Sequence, residues 1–225
     1  MDSTSIQSGT SVRVSIPVPD DVFRHSACGP VLSLLADTPH AAFGIRDIGR
    51  AIERPHRSVS LAVDDLEALG LVTTRTEGGK KLVQIDRGRL ETPTDPIIRI
   101  PQVEFHDPVR RLRSELLDRL ENVTGILLFG SVARGEADRK SDIDCFVLVG
   151  ANRATNQKHA HELVQELNDE RFDGDRYDFQ VLVESTESAS RQRDQLREIV
   201  VDGITLYETQ ELIELKAEVI SDGRE

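Results

Sequence analysis

The chain has 225 residues, 38% of them hydrophobic and 30% charged, with 40 acidic against 28 basic side chains and a formal net charge of -12. That length suits two domains of about a hundred residues, each burying its own core. No apolar run approaches the roughly 18 residues a bilayer span needs, and no basic segment followed by an apolar core opens the chain, so membrane-spanning and secretory readings are set aside and a cytoplasmic protein is expected.

Two cysteines, Cys28 and Cys145, lie far apart with no Cys or His at metal-ligand spacing. Buried reduced thiols are expected, and neither a disulfide framework nor a zinc site is indicated. The 28 basic residues are 5 Lys and 23 Arg, an imbalance that together with the acidic surplus resembles proteins adapted to concentrated salt. Charge is uneven along the chain: residues 21–90 sum to +1 and residues 106–225 to -10, so the front half is the better candidate for touching phosphates.

Residues 1–20 alternate Val12, Val14 and Ile16 before Pro17 and Pro19, which predicts an edge strand or loose arm. A helix is predicted from Pro30 to Ala36, closed by Asp37-Thr38-Pro39, and a second from Ile45 to Glu53, followed by a turn at Arg54-Pro55-His56. The third, Arg57 to Leu69, carries Val59, Val63, Leu66 and Leu69 on one stripe, with Gly70 as its C-terminal cap. Strands at Leu71–Arg75 and Leu82–Asp86 then flank Gly78-Gly79, a hairpin tip bearing Lys80 and Lys81. Residues 91–106 contain Pro93, Pro96 and Pro101 and read as a semi-rigid linker with one short strand at Ile97–Ile100.

A helix from Pro108 to Glu121 opens the second domain, with Val109, Leu112, Leu116, Leu117 and Leu120 on one face. Strands at Gly125–Phe129, Ile143–Val149 and Tyr177–Val183 alternate with helices at Thr155–Asp169 and Ser188–Val201, and the tail beyond Leu215 reads as a frayed helix end. The fold class is therefore α+β in two domains: a helical N-terminal module over 21–90, a linker over 91–106, a mixed α/β domain over 107–215 and a tail over 216–225.

The chemistry concentrates in Phe129-Gly130-Ser131 and Ser141-Asp142-Ile143-Asp144. Alternation along a strand puts Asp142 and Asp144 on one face and Ile143 on the other. Two carboxylates so close repel each other unless a cation lies between them, and a hard ion that also takes phosphate oxygens relieves the repulsion. Gly130 lets a phosphate approach the backbone, and the Ser131 hydroxyl and nearby amides can hydrogen-bond it. An isolated Asp-x-Asp is common on protein surfaces, so the weight falls on its combination with Gly-Ser.

Gly-Ser, a ten-residue gap, Asp-x-Asp and a carboxylate on a later strand resemble the nucleotidyltransferase superfamily that includes DNA polymerase beta and the minimal nucleotidyltransferases of prokaryotes. Gly130, Ser131, Asp142 and Asp144 match position by position. The third acid falls on Asp178, with Asp173, Asp175 and Glu184 as nearby alternatives. Asp202-Gly203-Ile204-Thr205-Leu206-Tyr207 is similar to the closing segment of the minimal members, so the likeness covers about residues 107–210. It implies that Asp142, Asp144 and Asp178 bind two Mg²⁺ or Mn²⁺ ions on an NTP, that Asp178 helps deprotonate the attacking hydroxyl, and that Arg134 is either a phosphate ligand or a solvated charge. The implied reaction is transfer of NMP, AMP first among them, to a protein or small-molecule hydroxyl, as in antitoxins that modify a separate partner.

Helix, helix, helix and basic-tipped hairpin, with Leu66-Glu67-Ala68-Leu69-Gly70-Leu71-Val72, resemble a winged helix-turn-helix over about residues 27–90. Its candidate DNA contacts are His56, Arg57, Ser58, Ser60, Arg75, Lys80 and Lys81, weighed against the acids Asp64, Asp65 and Glu67 and against a pure docking role. His40, His106, His159 and His161 read as surface residues. The expected partners are an NTP, DNA, a protein acceptor and a second copy of the chain in a homodimer. The competing reading is a DNA-binding regulator whose second domain only senses nucleotide.

Overall fold

The computed structural model describes residues 11–12, 25–91, 95–138 and 140–221. In chain order these form β1 (Ser11–Val12), α1 (Cys28–Asp37), β2 (Phe43–Gly44), α2 (Ile45–Ala51), α3 (His56–Ala68), β3 (Val72–Glu77), β4 (Lys80–Ile85) and β5 (Leu90–Glu91). After them come α4 (His106–Arg119), β6 (Val123–Phe129), α5 (Gly130–Arg134), β7 (Ile143–Val149), α6 (Arg153–Asp169), β8 (Phe179–Ser185), α7 (Thr186–Arg191), α8 (Arg193–Asp202), β9 (Ile204–Glu208) and α9 (Gln210–Ser221). The described residues divide into two units of mixed α and β structure. The first takes 11–12, 25–91, 186–201 and 208–221, and the second takes 95–138, 140–185 and 202–207.

In the first unit α3 packs on α1 and buries Val59, Val63 and Leu66 of the predicted stripe together with Ala62, whereas Leu69, the stripe's fourth member, caps the helix end and is half-buried. Its C-terminus closes on Gly70 at φ 67°, with Gly70 N donating to Glu67 O and Leu71 N to Leu66 O, both at 2.9 Å. The sheet runs β2-β4-β3. Gly78 and Gly79, at φ 56° and 76°, turn β3 into β4. Of the predicted N-terminal strand, Val12 falls in β1, which pairs antiparallel with β5, whereas Val14 and Ile16 lie outside the described residues.

The C-terminal helices α7 and α9, with all but the last residue of α8, cluster with this first unit. The predicted single helix at Ser188–Val201 is two helices, α7 and α8. Residues 216–221, read from sequence as a frayed end, complete α9, where Lys216, Val219 and Ile220 are buried. Lys216 Nζ donates to Asp37 O at 3.0 Å and to Glu208 Oε2 at 3.2 Å, so the buried ammonium has both a carbonyl and a counter-charge.

The second unit is a four-stranded sheet in the order β8-β7-β6-β9, with β6 antiparallel and β8 parallel to β7. β7 is buried along almost its whole length, which explains its unbroken apolar run Cys145–Val149. Leu112 and Leu116 of α4 and Ala160 and Leu163 of α6 cover one face. Pro96–Arg99 is a 3-10 turn and not the predicted strand, because Pro96 starts it and Asp95 accepts a hydrogen bond from Ile97 N at 3.1 Å. Ile97, Ile100 and Phe105 are buried in the core of this unit, so the proline-rich segment is folded against α4 and does not act as a spacer.

Candidate active site

Strand β6 delivers the site. Its last residue, Phe129, pairs in register with Asp144, and the chain then turns through Gly130 at φ 75°. A Cβ at Gly130 would overlap the Asp144 carboxylate, with Asp144 Cγ 3.3 Å away. Only glycine meets both demands, a left-handed backbone and contact with Asp144. Gly135 closes α5 in the same left-handed conformation, at φ 72°, where a Cβ would lie 2.8 Å from Pro101 Cβ. Gln102 reinforces that approach by donating Nε2 to Ala137 O at 2.9 Å and accepting Ala137 N at 3.2 Å.

Ile143 is fully buried, while Asp142 and Asp144 on either side of it are half-exposed. Burial raises the pKa of Asp144 above the ordinary carboxylate value, the Asp142 charge adds to the rise, and the Arg134 guanidinium opposes it. Arg134 also pairs with Glu136 at 3.0 Å. Ser131 begins the descent of α5, its carbonyl accepting Glu136 N at 2.9 Å.

The parallel pairing of β7 and β8 sets Ile143 beside Phe179 and Asp144 beside Gln180. Asp178 immediately precedes β8, and its carbonyl accepts Ile143 N at 2.8 Å, while its side chain is exposed. Tyr177 braces this position through ring contacts with Phe105 at 5.4 Å and Phe172 at 6.0 Å, and its hydroxyl donates to Glu104 O at 3.2 Å. Among the described residues no three His, Cys, Asp or Glu side chains are grouped closely enough to hold a metal ion. The structure thus brings Asp142 and Asp144 together and puts the Asp178 main chain alongside them, without closing the three carboxylates into one cluster.

One neighbour went unread in the sequence. Gln180 donates Nε2 to Asp142 Oδ2 from the face that Asp142 and Asp144 share. Its position two residues beyond Asp178 on a strand was the available signal.

The candidate DNA contacts of the first unit separate. His56, Arg57 and Lys80 are exposed, whereas Ser58 and Ser60 are half-buried. Arg75 lies 3.6 Å from Glu77, and Lys81 is held by Asp64 at 3.0 Å and Glu67 at 3.2 Å, hydrogen bonds that raise its pKa. Of the four histidines read as surface residues, His40 and His161 are exposed, but His106 is half-buried with Nε2 2.9 Å from Ile100 O, and His159 is half-buried as well.

Residues 109–214 match the family described as the nucleotidyltransferase domain. Among solved structures, the chain is similar to a toxin–antitoxin crystal structure with AMP-PNP, at 28% identity over 53% of this chain and 84% of that one, with a TM-score of 0.35. Two mutant forms of the toxin–antitoxin MntA-HpeT align at 23% and 24% identity over 49% and 50% of this chain and 81% of each of theirs, with TM-scores of 0.36 and 0.34. No curated protein matches the chain. On the family match, residues 109–214 of the chain carry a nucleotidyltransferase domain.

Proposed function

We propose that the chain transfers a nucleoside monophosphate, AMP first among them, from an NTP to a hydroxyl of a partner protein or small molecule, with the N-terminal unit serving as a winged-helix docking or DNA-binding module. The observation that carries the reading is the fit of Gly130 against Asp144, which leaves a carboxylate pair beside a bare backbone turn. Two half-exposed carboxylates, one with its proton affinity raised by burial and by its neighbour, form a site whose repulsion a divalent cation would relieve.

Asp142 and Asp144 would hold Mg²⁺ or Mn²⁺, and Asp178 would add a ligand after a side-chain rotation on its braced backbone. The ion supplies neutralisation of charge on the triphosphate. The chain's own residues orient the donor: Gly130 admits a phosphate to the main chain, the Ser131 hydroxyl can donate to its oxygens, and the Arg134 guanidinium, whose charge acts on Asp144, can share them. Asp178, as the exposed carboxylate, is the candidate to accept the proton of the attacking hydroxyl. Antitoxin-like modification of a partner follows from the family resemblance and belongs to the same proposal, as does a homodimeric assembly.

Mass spectrometry of the chain and any co-purified protein, after incubation with Mg²⁺ and each NTP in turn, tests the reading. The expected result is a gain of one nucleotide on an acceptor, lost when Asp142→Ala and Asp144→Ala are combined. Incorporation unchanged in that double variant would remove Asp142 and Asp144 from the mechanism.

A further inference from the structure

Several basic side chains of the first unit line one open groove of about 1100 Å³ between α2 and the β3–β4 hairpin. Arg46, Arg50, Arg54, His56, Lys80 and Lys81 line it, with Asp47 as its one acidic side chain. Arg46 and Arg50 lie four residues apart on α2 and so share a face. Arg54 is placed by a tight turn in which its N–H donates to Gly49 O at 2.8 Å; a Cβ at Gly49 would meet Arg54 O at 2.9 Å, so glycine permits the turn.

The groove's charge is only partly neutralised. Asp47 pairs with Arg50, and Lys81 is taken by Asp64 and Glu67. Arg46, Arg54 and Lys80 are exposed and have no ion-pair partner among the described residues. Three unneutralised cations at one groove stand out in a chain of net charge -12. The lining is short of apolar anchors, with Ile45 and Leu82 its largest hydrophobic side chains and no Phe, Tyr or Trp, whereas a protein partner is usually held by a buried aromatic or aliphatic cluster. Guanidinium groups suit phosphate oxygens, which they grip with paired hydrogen bonds.

We propose that this groove holds the phosphodiester backbone of a nucleic acid, without reading its sequence. The outer side of α3 is poorly suited to base readout, because Asp64 and Glu67 are exposed there and Leu61 is 40% exposed. The proposal deepens the nucleic-acid reading of the N-terminal unit by moving the contact from α3, Arg75 and Lys81 to Arg46, Arg54 and Lys80. It is independent of the transferase site.

The test is fluorescence anisotropy of the full-length protein with a labelled random-sequence duplex, its separated strands and an RNA of equal length, across a range of salt concentrations. Arg46→Ala combined with Arg54→Ala is expected to weaken binding about tenfold at low salt and to lower the slope of log affinity against log salt by about two, equally for unrelated sequences. Arg57→Ala combined with Ser60→Ala is expected to change affinity less than about twofold, as surface contacts outside the groove. Both arginines are exposed, so an unchanged melting curve excludes misfolding, and Arg46→Lys with Arg54→Lys should retain the salt slope. Binding that survives the arginine double variant, is lost with the α3 variant, or is seen for polyglutamate and for no nucleic acid overturns the proposal. The Asp142→Ala, Asp144→Ala protein should bind as wild type does, so failure of the transferase reading leaves this result interpretable.

Discussion

Gly130 and Asp144 are constrained by each other. The positive φ of Gly130 disfavours any other residue, and the Asp144 carboxylate fills the space where a side chain would begin. Gly130→Ala should therefore cost about 1–3 kcal/mol of stability through backbone strain and overlap, and lower nucleotidyl transfer about a hundredfold or more by displacing Asp144, as read from a denaturation curve and a single-turnover assay. Asp144→Asn separates function from stability. The folded chain raises the pKa of Asp144, so it binds that proton more tightly than the unfolded chain does, and the group's contribution to stability falls as pH rises from the unfolded carboxylate range through the raised value. In chelator-treated protein at pH 7 the Asn variant should melt higher than wild type. At pH 3, where both side chains are neutral, that gain should vanish. A variant that melts lower at pH 7 would show that the carboxylate is needed to build the fold. Asp142 and Asp144 were legible because motif spacing and strand alternation are local, but the hydrogen bond from Gln180 depends on how β8 registers against β7, which no local pattern encodes.

Among elements, α3 and its Gly70 cap, the β3–β4 hairpin and the runs of β6 and β7 came directly from periodicity and turn chemistry. The 95–105 segment did not. Its prolines suggest a spacer, yet Ile97, Ile100 and Phe105 find a partner surface on α4. Helix α9 presents the same lesson, since its apolar face has meaning only once a partner is known. Leu212, Leu215, Val219 and Ile220 are each at most 2% exposed, and α9 contacts α2 and β2. Leu215→Ala should destabilise the first unit by about 2–5 kcal/mol. A chain ending before Gln210 lacks all four of these side chains, uncovers the apolar surface they bury, and should lose the cooperative melting of that unit. Circular dichroism in urea checks both, and a truncated chain that melts as wild type does would mean α9 packs there without contributing.

Across the whole molecule, each unit carries one buried thiol, Cys28 in the first and Cys145 in the second. Burial raises both pKa values, that of Cys145 to about 12, with the Asp144 charge adding to the rise. Neither should react with a disulfide reagent at pH 8 until its unit opens, because the thiolate is the nucleophile. Stability should be retained below the unfolded thiol range, near pH 8.5, and decline as pH rises from there toward 12, since only the unfolded chain releases these protons readily. Labelling of native protein at pH 8 followed by mass spectrometry tests this, and rapid modification of Cys145 would contradict its burial. By itself the sequence determined what short-range physics controls: the helical and strand periods, the glycine turns, and the Gly-Ser and Asp-x-Asp spacing that aims two carboxylates to one face. Tertiary structure alone decided which distant surfaces meet, including α9 with α2, Gln180 with Asp142, and Lys81 with Asp64 and Glu67 in place of an incoming phosphate. Those pairings depend on burial and charge compensation across long stretches of chain, where nearest-neighbour preferences carry no information.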